Sequence, residues 1–457
     1  MDAECRQDLF PAMHTTPPTT PKPPLAARFF RSLAIIVLTL AFTIIAALFF
    51  TGTTFSVVDT YFKDADKPPG GVLVILGLVV ILLPLGLAIW AGRRRWLTWP
   101  VLAAGSVVAG GIMAWLASDD PIVRRPLAIE EVAPAFDGAE KSYAVIMEYG
   151  KQKPTEDAQA FSARKHAVQL AGVGPADGDK WAEFLVKNRA ALEAEWAAAA
   201  PQRAWLGRLN AFDRLGDLTP ADFAADIPRF DVWRFMSQRT AAAASLQALD
   251  GKGDEAIATL LPMLEVSRKF ETSARTLIRL MIARTCQKLC YQTAGFILDR
   301  SNPSPAARAR LLTALEGGNG AAGARRIVLI EYALFMPALA KLSLTETAAA
   351  VDWGSSRRLP RVLNVFTRIV FNPRATTNLY GDHAYELAGL AEARDLGGFA
   401  VRQESFVHAS YRQGGMKNLG GRLILNMAVP AYQKVVKTYW DIEDLRLAVL
   451  ARVGPET

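Results

Sequence analysis

The sequence predicts an all-α protein in two parts: three transmembrane helices, then a large α-helical soluble domain with a repeat-like character. Three observations lead there. Residues 28–120 hold three long apolar runs separated by short gaps. The remainder is dominated by Ala, Leu, Arg and Glu and is punctuated by helix caps. Runs of alternating β-branched residues are missing outside Ile122–Val132. The expected organisation is a Pro/Thr-rich tail (1–27), a three-helix membrane unit (28–120), a linker (121–138) and a helical domain (139–457).

The tail contains Thr15-Thr16-Pro17-Pro18-Thr19-Thr20-Pro21 and Lys22-Pro23-Pro24. It has too little apolar surface to fold, and proline biases it to extended forms. The apolar run that follows is too long for a signal peptide, and no small-residue cleavage site closes it.

The first span is Ser32–Phe50, whose hydroxyls (Ser32, Thr39, Thr43) can bond back to helix carbonyls. The second is Val72–Ala91, with Pro84 predicting a kink near Val80–Pro84. The third is Leu97–Ala117. Each matches the ~20 residues at ~1.5 Å rise that cross a ~30 Å hydrocarbon core. In the third, Ser106 and Gly110 stand four apart, as do Val107 and Gly111, a small-residue stripe that lets a second backbone approach. It serves packing within the unit or, alternatively, an oligomer seam. No span contains an ionisable residue, whereas transport pathways keep such groups at membrane depth. The unit reads as an anchor.

Lys22, Arg28, Arg31 and Arg93-Arg94-Arg95 flank one side of the spans, against Lys63, Lys67, Arg124 and Arg125 on the other. Six cations against four place the N-terminus in the cytoplasm and the helical domain outside it. Beyond residue 120 the chain carries 43 Lys/Arg and 36 Asp/Glu, a mild basic excess. No aromatic-interleaved basic strand, helix-turn-helix signature or zinc spacing points to nucleic acid. Expected partners are the lipid bilayer and another protein.

In the soluble part, helices are expected at Ala139–Lys151, Glu156–Ala171, Asp179–Ala199, Gln202–Asp213, Arg229–Leu249, Asp254–Phe270, Thr272–Leu298, Arg325–Leu344, Arg357–Val370, Thr376–Arg394 and Arg422–Val453. Thr219-Pro220 and Ser304-Pro305 are cap-plus-proline starts, and Gly317 closes the second of these helices. Pro262 and Pro430 predict bends. Ile327–Leu344 is long enough to span a bilayer, but Glu331 and Lys341 are costly at its centre, so it is assigned to a protein core. Leu423–Val436 is too short to span. A bilayer-surface role is its alternative, with Tyr439 and Trp440 at headgroup level.

Ala243-Ala244, Asp250-Gly251, Glu255-Ala256-Ile257 and Leu260 read as a helical hairpin with small residues at the crossing and glycine at the turn. The segment 241–267 resembles a tetratricopeptide-type repeat. Gln247, Met263 and the missing closing proline depart from that pattern. The resemblance covers one repeat and implies a layered helical array. The layout, with Phe371–Thr376 and Gly420-Gly421-Arg422, also resembles uncharacterised bacterial membrane proteins with helical C-terminal domains, which implies no activity.

The four histidines are His14, which lies in the tail, His166, His383 and His408. Asp382-His383 with Glu386 places an imidazole and carboxylates within one helical turn, a pattern that can bind a divalent metal or position a general base. The bland reading is a solvated polar stretch near a helix start. Ser162-Ala163-Arg164-Lys165 lacks the companions of an active serine. Gly317-Gly318 with Gly320, Gly397-Gly398 and Gly414-Gly415 read as loops. Glu331 must be paired or neutral if buried, and Arg325 and Arg326 are its expected partners; a perturbed acid is the alternative. Cys286 and Cys290, four apart on one helix, read as small buried hydrophobes; Cys5 is in the tail. Phe371–Tyr380 reads as a rigid corner that either presents Arg374 and Asn378 or is buried. No cofactor or metal is expected. The functional expectation is a membrane-anchored scaffold of the cell envelope. The alternatives are an envelope hydrolase using His383 and Glu386, or an accessory subunit of a transport or secretion complex.

Overall fold

The computed structural model describes residues 127–150, 172–220, 230–341, 371–412 and 432–454, with isolated positions at 111, 118, 121, 418, 421, 422 and 425. The predicted tail and spans, Ser106, Gly110, Ser162–Lys165, Gly414-Gly415, and the helices expected at Glu156–Ala171 and Arg357–Val370 lie outside the described residues. So does the stretch after Thr219-Pro220. The chain divides into two units, Met1–Trp115 and Leu116–Thr457, and the description concerns the second.

The described residues are helical and contain no strand. In order they form α1 (Ile129–Val132), α2 (Ala139–Gly150), a 3-10 turn (Pro175–Asp177), α3 (Asp179–Lys187), α4 (Arg189–Ala198), α5 (Ala200–Asn210), α6 (Asp231–Leu249), α7 (Gly253–Thr272), α8 (Leu277–Arg300), α9 (Pro305–Glu316), α10 (Gly320–Lys341), α11 (Pro373–Glu392), α12 (Leu396–Arg412) and α13 (Tyr432–Val453). None of the described helices is long and apolar enough to cross a membrane. Ile327, Val328, Ile330 and Met336 of α10 are buried in a protein core, as the test of Ile327–Leu344 expected.

Several boundaries differ from expectation for local reasons. The helix expected over Asp179–Ala199 breaks at Asn188, whose Nδ2 donates to Phe184 O at 2.8 Å, separating α3 from α4. Such local bonding by asparagine competes with the helix ladder. The helix expected from Thr272 starts at Leu277 instead, because the Thr276 side chain accepts from Arg279 N and caps it. Ser304 and Pro305 open α9 as expected. Gly397 and Gly398 are not a loop but the first turn of α12, where Asp395 Oδ1 accepts from Gly398 N at 2.8 Å. The sequence reading missed this helix because two glycines outweighed the acidic cap ahead of them.

The first half of the domain is layered. α6 packs on α7 and α8, α7 on α8 and α9, with α4 beside α6 and α5 beside α7. Ala244, Ala248 and Ala256 are buried in one cluster, so small side chains line the α6–α7 approach, while Ala242 packs with Trp181, Leu185 and Leu192. The turn between them is a Schellman motif: Lys252 N donates to Gln247 O and Gly251 N to Ala248 O, with Gly251 at φ +76°. Trp205, Trp233 and Phe270 stack through this core, the last two with centroids 4.1 Å apart.

The second half is built from α10 to α13. α10 packs along α11 and α11 against α12, while α13 crosses back to α8, α9 and α10. Its core is richer in hydroxyl-bearing rings: Tyr332, Tyr380, Tyr432 and Tyr439 are all buried.

Candidate functional site

His383 sits on the buried face of α11 and is fully enclosed. Its ring stacks on Phe406 of α12 at 3.8 Å between centroids, and neither ring nitrogen has a hydrogen-bond partner among the described residues. Burial, with a smaller contribution from the nearby Arg402 charge, pushes its pKa down to about 3. Glu386 is exposed one turn on and pairs with Arg402 Nε at 2.7 Å. Asp382, about 100° around the helix from His383, is exposed. The acid–imidazole group read from the sequence is therefore not assembled: helical geometry puts His383 in the core and both carboxylates on the surface. No group of three metal-ligating side chains occurs among the described residues. His14, His166 and the side chain of His408 lie outside them.

A polar centre that the sequence reading missed lies where α7, α8 and α13 meet. Arg284 Nη2 donates to Tyr439 O at 3.1 Å and lies 3.5 Å from Glu443; Nη1 donates to Gln287 Oε1 at 3.0 Å and lies 3.6 Å from Glu271. Its guanidinium covers the Tyr439 ring at 4.0 Å. Gln287 Nε2 donates to Glu271 Oε2 and Ser267 O. Glu443 Oε1 accepts from Arg446 Nε at 3.0 Å, and Arg446 also donates to Leu315 O at the end of α9. Two arginines thus face two carboxylates. Burial works against the charge on Arg284, and Glu271, the Tyr439 and Tyr291 hydroxyls and Glu443 together outweigh it, so the guanidinium holds its proton more firmly than usual. Arg284 and Gln287 stand three apart on the stripe that also carries Cys290 and Tyr291 of α8, and Glu443 and Arg446 stand three apart on α13. The argument applied to Glu331, a charge inside an apolar helix, would have flagged them.

A second buried pair ties α8 to the segment before residue 220. Arg279 lies 3.3 Å from Asp217, donates to Gly216 O and Ser273 Oγ, and covers the Phe270 ring at 3.9 Å. Asp217 also accepts from the Thr219 hydroxyl and from Arg275 N. Thr219, expected as a helix cap, spends its hydroxyl on Asp217. Each of these carboxylate and guanidinium groups has an internal partner, although Glu271 Oε1, Arg279 Nε and Arg284 Nε accept or donate no hydrogen bond among the described residues, and the arrangement ties α7, α8, α13 and the segment before residue 220 together.

The ion pair expected between Glu331 and Arg325 or Arg326 does not form. Arg325 pairs with Glu392 at 2.9 Å, and Arg326 donates to the carbonyls of Val132, Glu271 and Ala274. Glu331 instead accepts from Leu277 N at 3.0 Å, satisfying an orphan donor at the start of α8. Burial raises its carboxyl above the usual range, and the Leu277 N–H partly offsets that. Nearby, the Tyr380 and Tyr432 hydroxyls bond to each other at 2.8 Å.

Cys286 and Cys290 are buried and free, and burial pushes the Cys286 thiol up to about 12, as expected of inert core residues. Gly111 is exposed, with open space where a Cβ would stand. The corner expected over Phe371–Tyr380 is confined to Phe371-Asn372, because α11 begins at Pro373; Asn372 is buried, its Nδ2 donating to Ser118 O at 2.9 Å, and Asn378 Nδ2 of α11 donates to Pro121 O at 2.8 Å, which together form a clasp. No family model, curated protein or solved structure matches this chain.

Proposed function

We propose that the chain is a membrane-anchored helical scaffold of a bacterial cell envelope that acts by binding a protein or envelope partner. In this reading the spans at Ser32–Phe50, Val72–Ala91 and Leu97–Ala117 are the tether, with the N-terminus cytoplasmic and the helical domain outside. The tetratricopeptide-like hairpin at 241–267 belongs to its layered half. The observation that carries the reading is the separation of His383 from Glu386 and Asp382, which leaves the hydrolase alternative without its site. The layered packing of α4–α9 and the internal pairing of the buried charges also support it, since they make a stiff body suited to presenting surface.

Cross-linking in intact membranes, with a topology reporter fused at Thr457, tests this. The expected outcome is a cross-linked species larger than the 49.7 kDa chain, retained in the Glu386→Gln variant, and a reporter active only outside the cytoplasm. A chain that runs at its own mass after cross-linking overturns the scaffold reading, and a cytosolic reporter overturns the sidedness. Gly110 and Gly111 in the third span offer the accessory-subunit variant of the same idea: leucine at both positions then shrinks the complex.

A further inference from the structure

One end of the second half gathers the ends of four helices. α10 and α11 run antiparallel, since Arg325 meets Glu392 while Phe335 meets Tyr380. α12 runs antiparallel to α11, with Glu386 on Arg402 and His383 on Phe406. α13 runs alongside α11 in the same direction: Tyr432 meets Tyr380, and Trp440 Nε1 donates to Ala391 O. The end of α10, the start of α11, the end of α12 and the start of α13 therefore share one end. The Asn372 and Asn378 clasp fastens Ser118 and Pro121 there, and Asn418 Oδ1 accepts from Asn372 N at 2.9 Å, bringing a third segment to the same place. Ser118 is the residue next after the apolar run Leu97–Ala117.

Charge is distributed to match. The described residues at this end, 371–381, 405–412, 418, 421, 422, 425 and 432–438, contain five Lys/Arg and no Asp/Glu. In sequence, residues 121–126, 353–381 and 405–440 hold twelve Lys/Arg and no Asp/Glu, whereas the rest of the chain beyond residue 120 holds 31 Lys/Arg and 36 Asp/Glu. Arg374, Lys434 and Lys437 are exposed here. Lys434 and Lys437 occupy the first two turns of α13, which has no acidic residue in its first turn. Cations at a helix N-terminus work against the macrodipole, a standing cost that an external anion relieves.

We propose that this end of the domain rests on an anionic lipid surface, with Arg374, Lys434 and Lys437 at headgroup level. The inference depends on the tethered reading above. It adds that the domain is seated on the bilayer rather than hung from a free linker. Each basic side chain near such a surface strengthens its hold roughly fivefold, and salt weakens it.

The test uses the full chain with Cys5→Ser, Cys286 and Cys290 being buried. An environment-sensitive dye is placed at Gln433→Cys or, as a control near the opposite end of α10, at Glu316→Cys. The protein is reconstituted into phosphatidylcholine vesicles with or without phosphatidylglycerol, carrying a headgroup spin label as quencher. Quenching at 433 is expected to exceed that at 316 at least twofold in anionic vesicles. It should fall to the control level in 1 M salt and in the Lys434→Glu/Lys437→Glu variant, whose changes favour the helix dipole and so spare the fold. Equal quenching at both sites in vesicles that float the chain overturns the seating while leaving the tether intact. Quenching that ignores the two glutamates overturns its electrostatic basis. A chain that floats with neither vesicle overturns the tether and the seating together.

Discussion

From Asp179 to Glu316 each helix packs on neighbours close in sequence, and the crossings are lined by alanine. From Gly320 onward the aliphatic core also encloses four tyrosines, a histidine and a buried glutamate, and α13 returns across α8 and α9. Small apolar crossings accept an unspecific fit, because dispersion and area burial do not choose a register. α13 packs on α8 and α9, which precede it by more than a hundred residues, and the Arg284–Glu443–Arg446 group helps to set its position there. The contrast teaches that in this domain locality and buried charge are alternative ways of fixing a helix in place.

The largest expected effect removes that setting. Arg284→Ala leaves Glu271 buried without its cation and Glu443 with Arg446 alone, a loss of about 3–5 kcal/mol. The exposed Arg189–Asp250 pair at 2.8 Å, broken by Asp250→Asn, is expected to cost below about 1 kcal/mol. Hydrogen exchange of the full chain resolves where the loss falls: with Arg284→Ala, protection should drop in both α7 and α13. A drop confined to α8, or a loss as small as that of the surface pair, would show that α13 is positioned by its apolar contacts alone.

The second expected effect belongs to the tyrosine-rich half and depends on pH. Above about pH 6.5, the ordinary histidine value, His383 is neutral folded and unfolded and contributes no pH dependence. As pH falls from there toward about 3, its folded value, only the unfolded chain takes up the proton. Stability should then drop by about 1.4 kcal/mol per unit, or roughly 2–3 kcal/mol by pH 4.5. His383→Phe keeps a ring against Phe406 and removes the titration. Glu331, whose raised carboxyl contributes in the opposite sense, is common to both proteins and cancels. The variant should match the parent at pH 7.5 within about 1 kcal/mol and exceed it at pH 4.5 in denaturant titrations. An equal acid loss in both proteins would refute the assignment.

Much of the layered half was legible because its determinants are local. Ser304-Pro305, Asp250-Gly251 and the alanines of α6 each act within a few residues, and α6, α7 and α9 lie within about two residues of where the pattern put them, apart from frayed ends. The other half was less legible for the same reason. Glu331 was expected to answer Arg325 or Arg326 on its own helix, but it answers the backbone of Leu277, 54 residues away. His383 and Glu386 share a turn in sequence yet face opposite environments, and the phase of α11 against Phe406 decides which is buried. Pairings such as Arg284 with Glu443, 159 residues apart, leave only one local trace: a charge set on an otherwise apolar stripe.

The smallest expected effect compares the same backbone device in the two halves. α6 and α11 both end in Schellman turns, the first with Gly251 at φ +76° and the second with Arg394 at φ +57°, where Asp395 N donates to Leu390 O at 2.9 Å. A Cβ in that conformation costs about 1–2 kcal/mol, so Gly251→Ala should lose about that much. Arg394→Gly recovers a similar amount but forfeits the exposed pair with Asp444 and the guanidinium stacked over Trp440 at 5.0 Å. These are worth up to about 1 kcal/mol each at such exposure. The net change should therefore lie near zero, whereas Arg394→Ala keeps the strain, loses both contacts, and should fall below the parent. Thermal unfolding of the three variants should place Arg394→Gly nearest the parent, with Arg394→Ala and Gly251→Ala both below it. If Arg394→Gly instead proves clearly stabilising, the side chain contributes nothing at that turn, and its placement over Trp440 does not hold α13 against α11.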